Sequence, residues 1–566
     1  MPPLSLKSYQ EDRQERGVYD KRNPLNDLTG KEWLFSTKTI LPKKYPLLWP
    51  SNLKSRNLRP IPSGLSTEII ETFSKPGDTI LDPFAGIGST LIGCFFTNDY
   101  GNPPRRNCIG IENKISLINQ FYQLAQKLNV PTSWMLKGEP ISLLSEIKKD
   151  SIGLICCDIP IWDISDPEEE ESVAISLERF IQSPENALKK WLSSVFKILS
   201  VASNKLKESK YLIIGIPHKC FRGKKQEKMY PNINFTLSSI LAYNLQKIGL
   251  TLKAERIWFI PGEKEDGNFF RPLNRRFLIF RKEKVGRKEI SDQSLFFKKQ
   301  FPIGSTAIIH KSYPPSYNHK LRSQHGGMKP PELAQLLIEK YSKKRGDLVL
   351  DPFAGVGGTL LGASLAQRRA VGIDINKRWK NIYLEVSQEA NLSPHKFLIG
   401  DSRQLIGTAF PDETIDLILT DVPYWAMDKL KKTRGRFSKA GEHSKDKIPS
   451  PLKKFNQTPL LTIEEWLVLL NDVFSLCHPK LINGRYLVVF IGNMYRTIEE
   501  MFEGKKKKVG KYLMLSSMLT KLLLKIGYKF EHELIWYAPD KALHVFGYPF
   551  SYIPSIVHQS ILVFKK

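Results

Sequence analysis

Cysteine is scarce in this chain. Six residues in 566 (Cys94, Cys108, Cys156, Cys157, Cys220 and Cys477) form no CxxC pair and no His/Cys group at metal-ligand spacing. That excludes a disulfide framework and a zinc site, so no metal is expected. No stretch approaches the roughly 18 uninterrupted apolar residues of a membrane span. The first thirty residues lack the basic-then-apolar layout of a secretory signal, so a cytoplasmic location without a membrane partner is expected. Acidic side chains are also in deficit: 57 against 85 basic ones leave a net charge of +28, a field that attracts polyanions and makes nucleic acid the expected partner. Hydrophobic content of 41% with 25% charged residues is the balance of a globular protein. The length exceeds one compact core and fits two domains.

What the chain does contain is an internal repeat. LDPFAGIGSTLIG (81–93) answers LDPFAGVGGTLLG (350–362), IGIENK (109–114) answers VGIDINK (371–377), and SIGLICCDIPIW (151–162) answers TIDLILTDVPYW (414–425). Late in each half come ERIWFIPG and ELIWYAPD, then the closing runs FLIFRK and ILVFKK. Buried-strand runs such as DLVL, AVGI and DLILT alternate with helical periodicity such as PELAQLLIEKY. The expected fold is therefore α/β, two Rossmann-like doubly wound, mostly parallel sheets in tandem. The expected organisation is a polar tail over 1–30, a first domain over 31–285 and a second over 286–566, with the boundary near Val285.

In the second copy the loop from Asp351 to Thr359 follows a strand and opens a small-residue helix, where an open α/β sheet binds its ligand. Gly355 and Gly357 permit a tight turn and close approach to a cofactor. Such a loop alone is a weak signal; its companions narrow it. Asp374, at the end of the next strand, is placed for ribose hydroxyls, and Gly400-Asp401, after the third, for an adenine edge. Each carboxylate alone reads as a surface group; in order they describe a nucleoside pocket. The fourth marker, Asp421-Val422-Pro423-Tyr424-Trp425, suits an exocyclic amino nitrogen, a poor nucleophile because its lone pair is delocalised into the ring. The Asp421 carboxylate and the Val422 carbonyl would accept its two N–H bonds, Pro423 would stiffen the loop, and Tyr424 would stack on a base drawn out of the helix.

These two motifs resemble the DPFxGxGT and (S/D/N)PP(Y/W) signatures of the DNA amino-methyltransferase family, which makes N4-methylcytosine or N6-methyladenine; Val422 replaces the first proline. HGGMKPPELAQLLIEKY (325–341) resembles the segment that touches the methionine end of the cofactor in the cytosine-N4 branch. The resemblance implies S-adenosyl-L-methionine as cofactor, held by Asp351, Phe353, Gly355, Gly357, Thr359, Asp374, Asp401 and Lys329. It implies catalysis by Asp421, Pro423 and Tyr424 on double-stranded DNA with the target base flipped out, N4 of cytosine slightly ahead of N6 of adenine. An RNA amino-methyltransferase and a nucleic-acid-binding pseudoenzyme are the alternatives. Cytosine-C5 chemistry is disfavoured because the chain has no Pro-Cys dipeptide.

The copies are unequal. The first keeps Asp82, Gly86 and Gly88 in its loop and Glu112 in place of Asp374, but its fourth marker, Asp158-Ile159-Pro160-Ile161-Trp162, lacks the stacking aromatic; Trp162 is the substitute. An acidic run follows it (Asp163, Asp166, Glu168 to Glu171), whereas a basic loop, Lys429 to Lys454, follows the second. The first copy is expected to be weak or silent, supporting the fold and nucleic-acid binding as in a covalent dimer, and the second to be catalytic. Gly504 to Lys508 reads as a solvated basic turn.

Overall fold

The computed structural model describes residues 20–45, 60–97, 106–161, 179, 182–217, 233–262, 270–283, 305–325, 327–423, 425, 462–502, 505–541, 543 and 545–566. In the first repeat the strands are β1 (Ile40–Pro42), β2 (Thr79–Asp82), β3 (Asn107–Glu112), β4 (Met135–Lys137), β5 (Ile152–Asp158), β6 (Leu206–Pro217), β7 (Leu250–Phe259) and β8 (Arg275–Lys282). They form one sheet in the order β4-β3-β2-β5-β6-β8-β7-β1. In the second repeat the strands are β9 (Ser305–His310), β10 (Leu348–Asp351), β11 (Arg369–Asp374), β12 (Lys396–Ile399), β13 (Ile415–Asp421) and β14 (Leu481–Ile491), then β15 (Met494–Phe502), β16 (Lys505–Leu513), β17 (Lys529–Tyr537) and β18 (His558–Lys565). Apart from β15 and β16, they run in the order β12-β11-β10-β13-β14-β18-β17-β9. The two orders superimpose strand for strand, and in each sheet β8 or β18 lies antiparallel to its β6 or β14 neighbour.

The order reverses between β2 and β5 and again between β10 and β13, so a crevice opens at the carboxyl ends of those neighbours. The central strands are covered on both faces, which is why they read as unbroken apolar runs: Leu350, Leu417, Ile418, Leu487 and Val488 are fully buried, as are Leu81, Leu154, Ile155 and Leu212. Helices α1 (Ser63–Phe73) and α2 (Ser89–Phe96) in the first repeat, with α4 (Pro331–Tyr341) and α5 (Gly358–Leu365) in the second, flank the glycine turns. Gly357 has φ 74°, and a Cβ there would lie 2.3 Å from the Tyr383 ring; Gly88 has φ 81° and would meet Phe121 at 2.2 Å. Both the left-handed backbone and the aromatic neighbour require glycine.

Two compact units divide the chain. The first comprises 1–301, 494–513 and 540–558; the second comprises 302–493, 514–539 and 559–566. Two segments late in the sequence thus belong to the unit built on the first repeat, while the expected boundary at Val285 lies outside the described residues. In the first unit Trp33 packs edge-on against Tyr548 at 5.5 Å and donates its indole N–H to Phe546 O, while Tyr552 lies 4.8 Å from the Phe73 ring.

Two sequence expectations change. The polar tail expected over 1–30 is packed from residue 20 on: Asn23 and Asn26 are buried, and Asn26 Nδ2 donates to Thr72 O at the end of α1. The basic stretch read as a solvated turn is a strand: 505–513 pairs antiparallel with 494–502, so lysines project outward while Val509 and Tyr512 are buried. Cross-strand pairing with 494–502, which the lysine run does not reveal, is the physical reason.

Candidate active site

Asp351 ends β10 and is buried. It accepts from the Phe353 N–H (3.1 Å) and the Thr420 hydroxyl (2.6 Å), and the Thr359 hydroxyl bonds to it as well. Burial pushes its carboxyl up to about 6. Asp351 and Thr359 therefore brace the turn from inside. Asp374, ending β11, takes the Gly355 N–H on one oxygen (3.0 Å) and the Asn376 N–H on the other (2.9 Å), and burial raises its pKa. The same arrangement recurs in the first unit: Gly86 N–H on Glu112 at 2.9 Å, and Asp82 bonded by the Phe84 N–H at 3.0 Å. Asp82 is pushed up to about 7 by burial. Asp401 caps the helix that it precedes and pairs with Arg403, whose hydrogen bonds lower the carboxylate's pKa; Glu139 caps the matching helix of the first unit. Phe353 is half-buried, its ring 6.4 Å from Phe474.

Asp421 ends β13, adjacent to β10 across the switch point. Lys329, placed by sequence at the methionine end of a cofactor, has its ammonium on Asp421 Oδ2. The segment carrying it is fixed by Arg322, which is buried and donates to Lys329 O at 2.6 Å. Burial takes the Arg322 guanidinium down to about 10. Helix α6 (Ile463–Lys480) fixes the loop after Asp421: the indole N–H of buried Trp466 donates to Pro423 O at 2.7 Å. Trp191, on α3 (Pro184–Lys205), does the same to Pro160 O at 2.7 Å in the first unit. Tyr424, Trp162, the acidic run and the Lys429–Lys454 loop lie outside the described residues.

Beyond Asp158 and Asp421 the two sites part. Asp158 is held by Arg275 of β8, whose Nε donates at 3.2 Å and whose Nη2 lies 3.2 Å away. By strand register Arg275 matches Gln559, and Ile61, just before α1, stands where Lys329 precedes α4. His325 covers the second turn: a Cβ on Gly355 would lie 2.9 Å from its Nε2, whereas a Cβ on Gly86 would meet nothing within 4 Å. The His325 ring stands edge-on to Trp379 at 5.0 Å, and burial, then Lys329 and Arg322, takes it down to about 4. Arg275, Trp466, Arg322 and the role of His325 escaped the sequence reading. The repeated Trp in KKWLSSVF and EEWLVLLNDVF was the available signal for one of them. Among the described residues no His, Cys, Asp and Glu side chains form a group able to hold a metal ion, and no helix is long and apolar enough to cross a membrane.

The family described as DNA methylase matches residues 4–123 and 152–385. The chain is similar to tRNA (guanine(10)-N2)-dimethyltransferase of Methanothermobacter thermautotrophicus, 30% identical over 178 residues (31% of this chain, 43% of that protein). It is similar to the protein of that name in Methanocaldococcus jannaschii, 26% identical over 201 residues (34% and 55%). It also resembles the Type II methyltransferase M.MthZI of Methanothermobacter thermautotrophicus, 40% identical over 65 residues (12% and 18%). The chain spans about half the length of the two tRNA relatives. Among solved structures it resembles TrmN from Thermus thermophilus, with TM-score 0.27, 16% identity and coverage of 55% and 60%.

Proposed function

The chain belongs to the DNA methylase family, and from that premise we propose that its second unit methylates an exocyclic amino group of a nucleic-acid base. S-adenosylmethionine, the family's cofactor, supplies an electrophilic methyl group on a sulfonium. The residues present fit it: a half-buried carboxylate, Asp374, stands at a strand end for the ribose hydroxyls, beside a glycine turn that brings the backbone close. Phe353, Gly355, Gly357 and Asp374 would hold it, with Asp351 and Thr359 bracing the turn.

The observation that carries the reading is the Asp421 carboxylate. It sits at the carboxyl end of β13 beside the cofactor turn, on a loop pinned by Trp466. An amine attacking a sulfonium becomes cationic as the bond forms, so an adjacent carboxylate that accepts its N–H stabilises the transition state more than the ground state. Lys329 on Oδ2 fixes the carboxylate's rotation, and the Trp466 bond to Pro423 fixes the loop around it. The first unit is the weak or silent partner: its fourth marker has Ile161 where the second has Tyr424, and Arg275, not a lysine, contacts Oδ2 of Asp158.

DNA as substrate is supported by the description of the family and by M.MthZI; cytosine N4 ahead of adenine N6 rests on the resemblance of the 325–341 segment to the cytosine-N4 branch. RNA is the second reading, supported by the tRNA relatives. Incubation with radiolabelled S-adenosylmethionine and separate DNA and RNA pools, followed by nucleoside mass spectrometry, tests both. Label on N4-methylcytosine or N6-methyladenine of DNA supports the first, and N2-methylguanosine in RNA the second. Absence of label from both pools overturns the function.

A further inference from the structure

A cavity of about 350 Å³ opens in the first unit among β6, β7, β8 and the ribbon β15–β16. It lies at the end of the sheet away from Asp158: Tyr211, on its wall, faces Leu154, whereas Gly215 faces Asp158, roughly 13 Å further along β6. Its floor is built. Lys253, with a side chain 6% exposed, donates to Gly510 O at 2.7 Å and pairs with Glu283 at 2.6 Å; Arg281 lies 3.6 Å from the same carboxylate. Lys507 and Lys508 add to the lining from the ribbon, so four basic residues and one acidic one line the cavity.

The wall carries a detail that points to an occupant. Tyr552 contributes to it with a buried side chain. Ser209, also on the wall, has φ 63°, whereas the equivalent position two residues before Tyr486 is Gly484 at φ 73°. A serine kept where glycine sits without strain leaves a hydroxyl at the cavity at a conformational cost. One of these cations is particular to this unit: by register and sequence Lys253 corresponds to the acidic Glu531, whereas Arg281 corresponds to Lys565, also basic. Hydroxyl, ammonium and guanidinium donors around one shielded carboxylate are the partners of a phosphate group, and the volume admits a nucleotide.

We infer that this cavity binds a nucleotide phosphate and so gives a polynucleotide a second anchor, remote from the methyl-transfer site. Only the polynucleotide as source of that phosphate rests on the function proposed above. The test measures binding of the full chain to a fluorescent 12-nucleotide single strand, with inorganic phosphate and adenosine monophosphate as competitors, over a range of salt. The variants are Ser209→Gly and Arg281→Gln/Lys508→Gln. The double variant is expected to bind about 10-fold more weakly, its log affinity falling less steeply with log salt by one to two contacts. Ser209→Gly is expected to bind about 3-fold more weakly while its Tm rises, because the strain is relieved. Competition by adenosine monophosphate below millimolar concentration assigns the site to free nucleotides or strand ends; competition by the polynucleotide alone assigns it to the backbone. Unchanged affinity for all three probes in both variants overturns the inference. Methyl transfer is read separately: binding that responds to the variants without methylation sinks the proposed function alone, and methylation with unresponsive binding sinks this site alone.

Discussion

The two aspartates at the carboxyl ends of β5 and β13 differ in what holds them, Arg275 for Asp158 and Lys329 for Asp421. Asp421→Ala is expected to lower methyl transfer at least 100-fold, the scale of a lost transition-state contact, with cofactor affinity kept. Asp158→Ala is expected to leave transfer unchanged. Radiolabel kinetics with equilibrium dialysis of the cofactor checks both, and the reverse pattern would make the first unit the catalytic one. A second residue-scale prediction concerns Asp82, raised to about 7 by burial from an ordinary value of 3.8. Between those values the folded state keeps a proton that the unfolded chain has released, so this group makes stability fall as pH rises from about 4 to 7. In thermal unfolding, Asp82→Asn should therefore gain on the wild type as pH goes from 5 to 8; an equal Tm difference at both values refutes it. Asp82 and Asp351 were readable from sequence as members of a cofactor loop. That they face inward, onto Thr90 and onto Thr359 and Thr420, was not, because a strand-end carboxylate looks the same in sequence whether it meets ligand or hydroxyl.

Among the elements, the glycine turns and the tryptophan-bearing helices were specified to different degrees. The turns were legible because left-handed backbone and close packing leave glycine as the residue that fits. Gly357→Ala brings a Cβ to 2.3 Å from Tyr383 at φ 74°. It should cost about 1–2 kcal/mol from the backbone alone and abolish cofactor binding. Gly88→Ala should destabilise similarly without affecting transfer; calorimetry and cofactor titration distinguish them. Trp466 and Trp191 each hold a loop carbonyl from a distant helix, a pairing that no local periodicity encodes. Trp466→Phe should lower kcat about 10-fold with little change in cofactor KM, through loss of loop order, whereas Trp191→Phe should leave kcat alone. An equal effect of both on kcat would contradict the division of labour. Residues 504–508 were misread as a turn because four consecutive lysines carry no apolar strand signal, and the strand is defined by its pairing with 494–502.

For the whole molecule, the late segments 494–513 and 540–558 complete the first unit. Glu255, buried with Arg276, also accepts from Tyr512 of the ribbon at 3.2 Å and lies 4.0 Å from His558. Residues 1–301 expressed alone would lose these partners and the rings of Tyr548 and Tyr552 against Trp33 and Phe73. That fragment is expected to lack a cooperative unfolding transition by circular dichroism; a sharp transition near that of the full chain would overturn this.

By itself the sequence determined that there are two doubly wound sheets and where each glycine turn and loop aspartate falls. Those features depend on local conformational limits and on apolar periodicity, which are written residue by residue. The tertiary structure alone decided that Lys329 rests on Asp421, that Arg275 rests on Asp158, and that late segments finish the first unit. Each of these joins residues tens to hundreds of positions apart, and such pairings are set by strand order and register, which no short stretch of sequence contains.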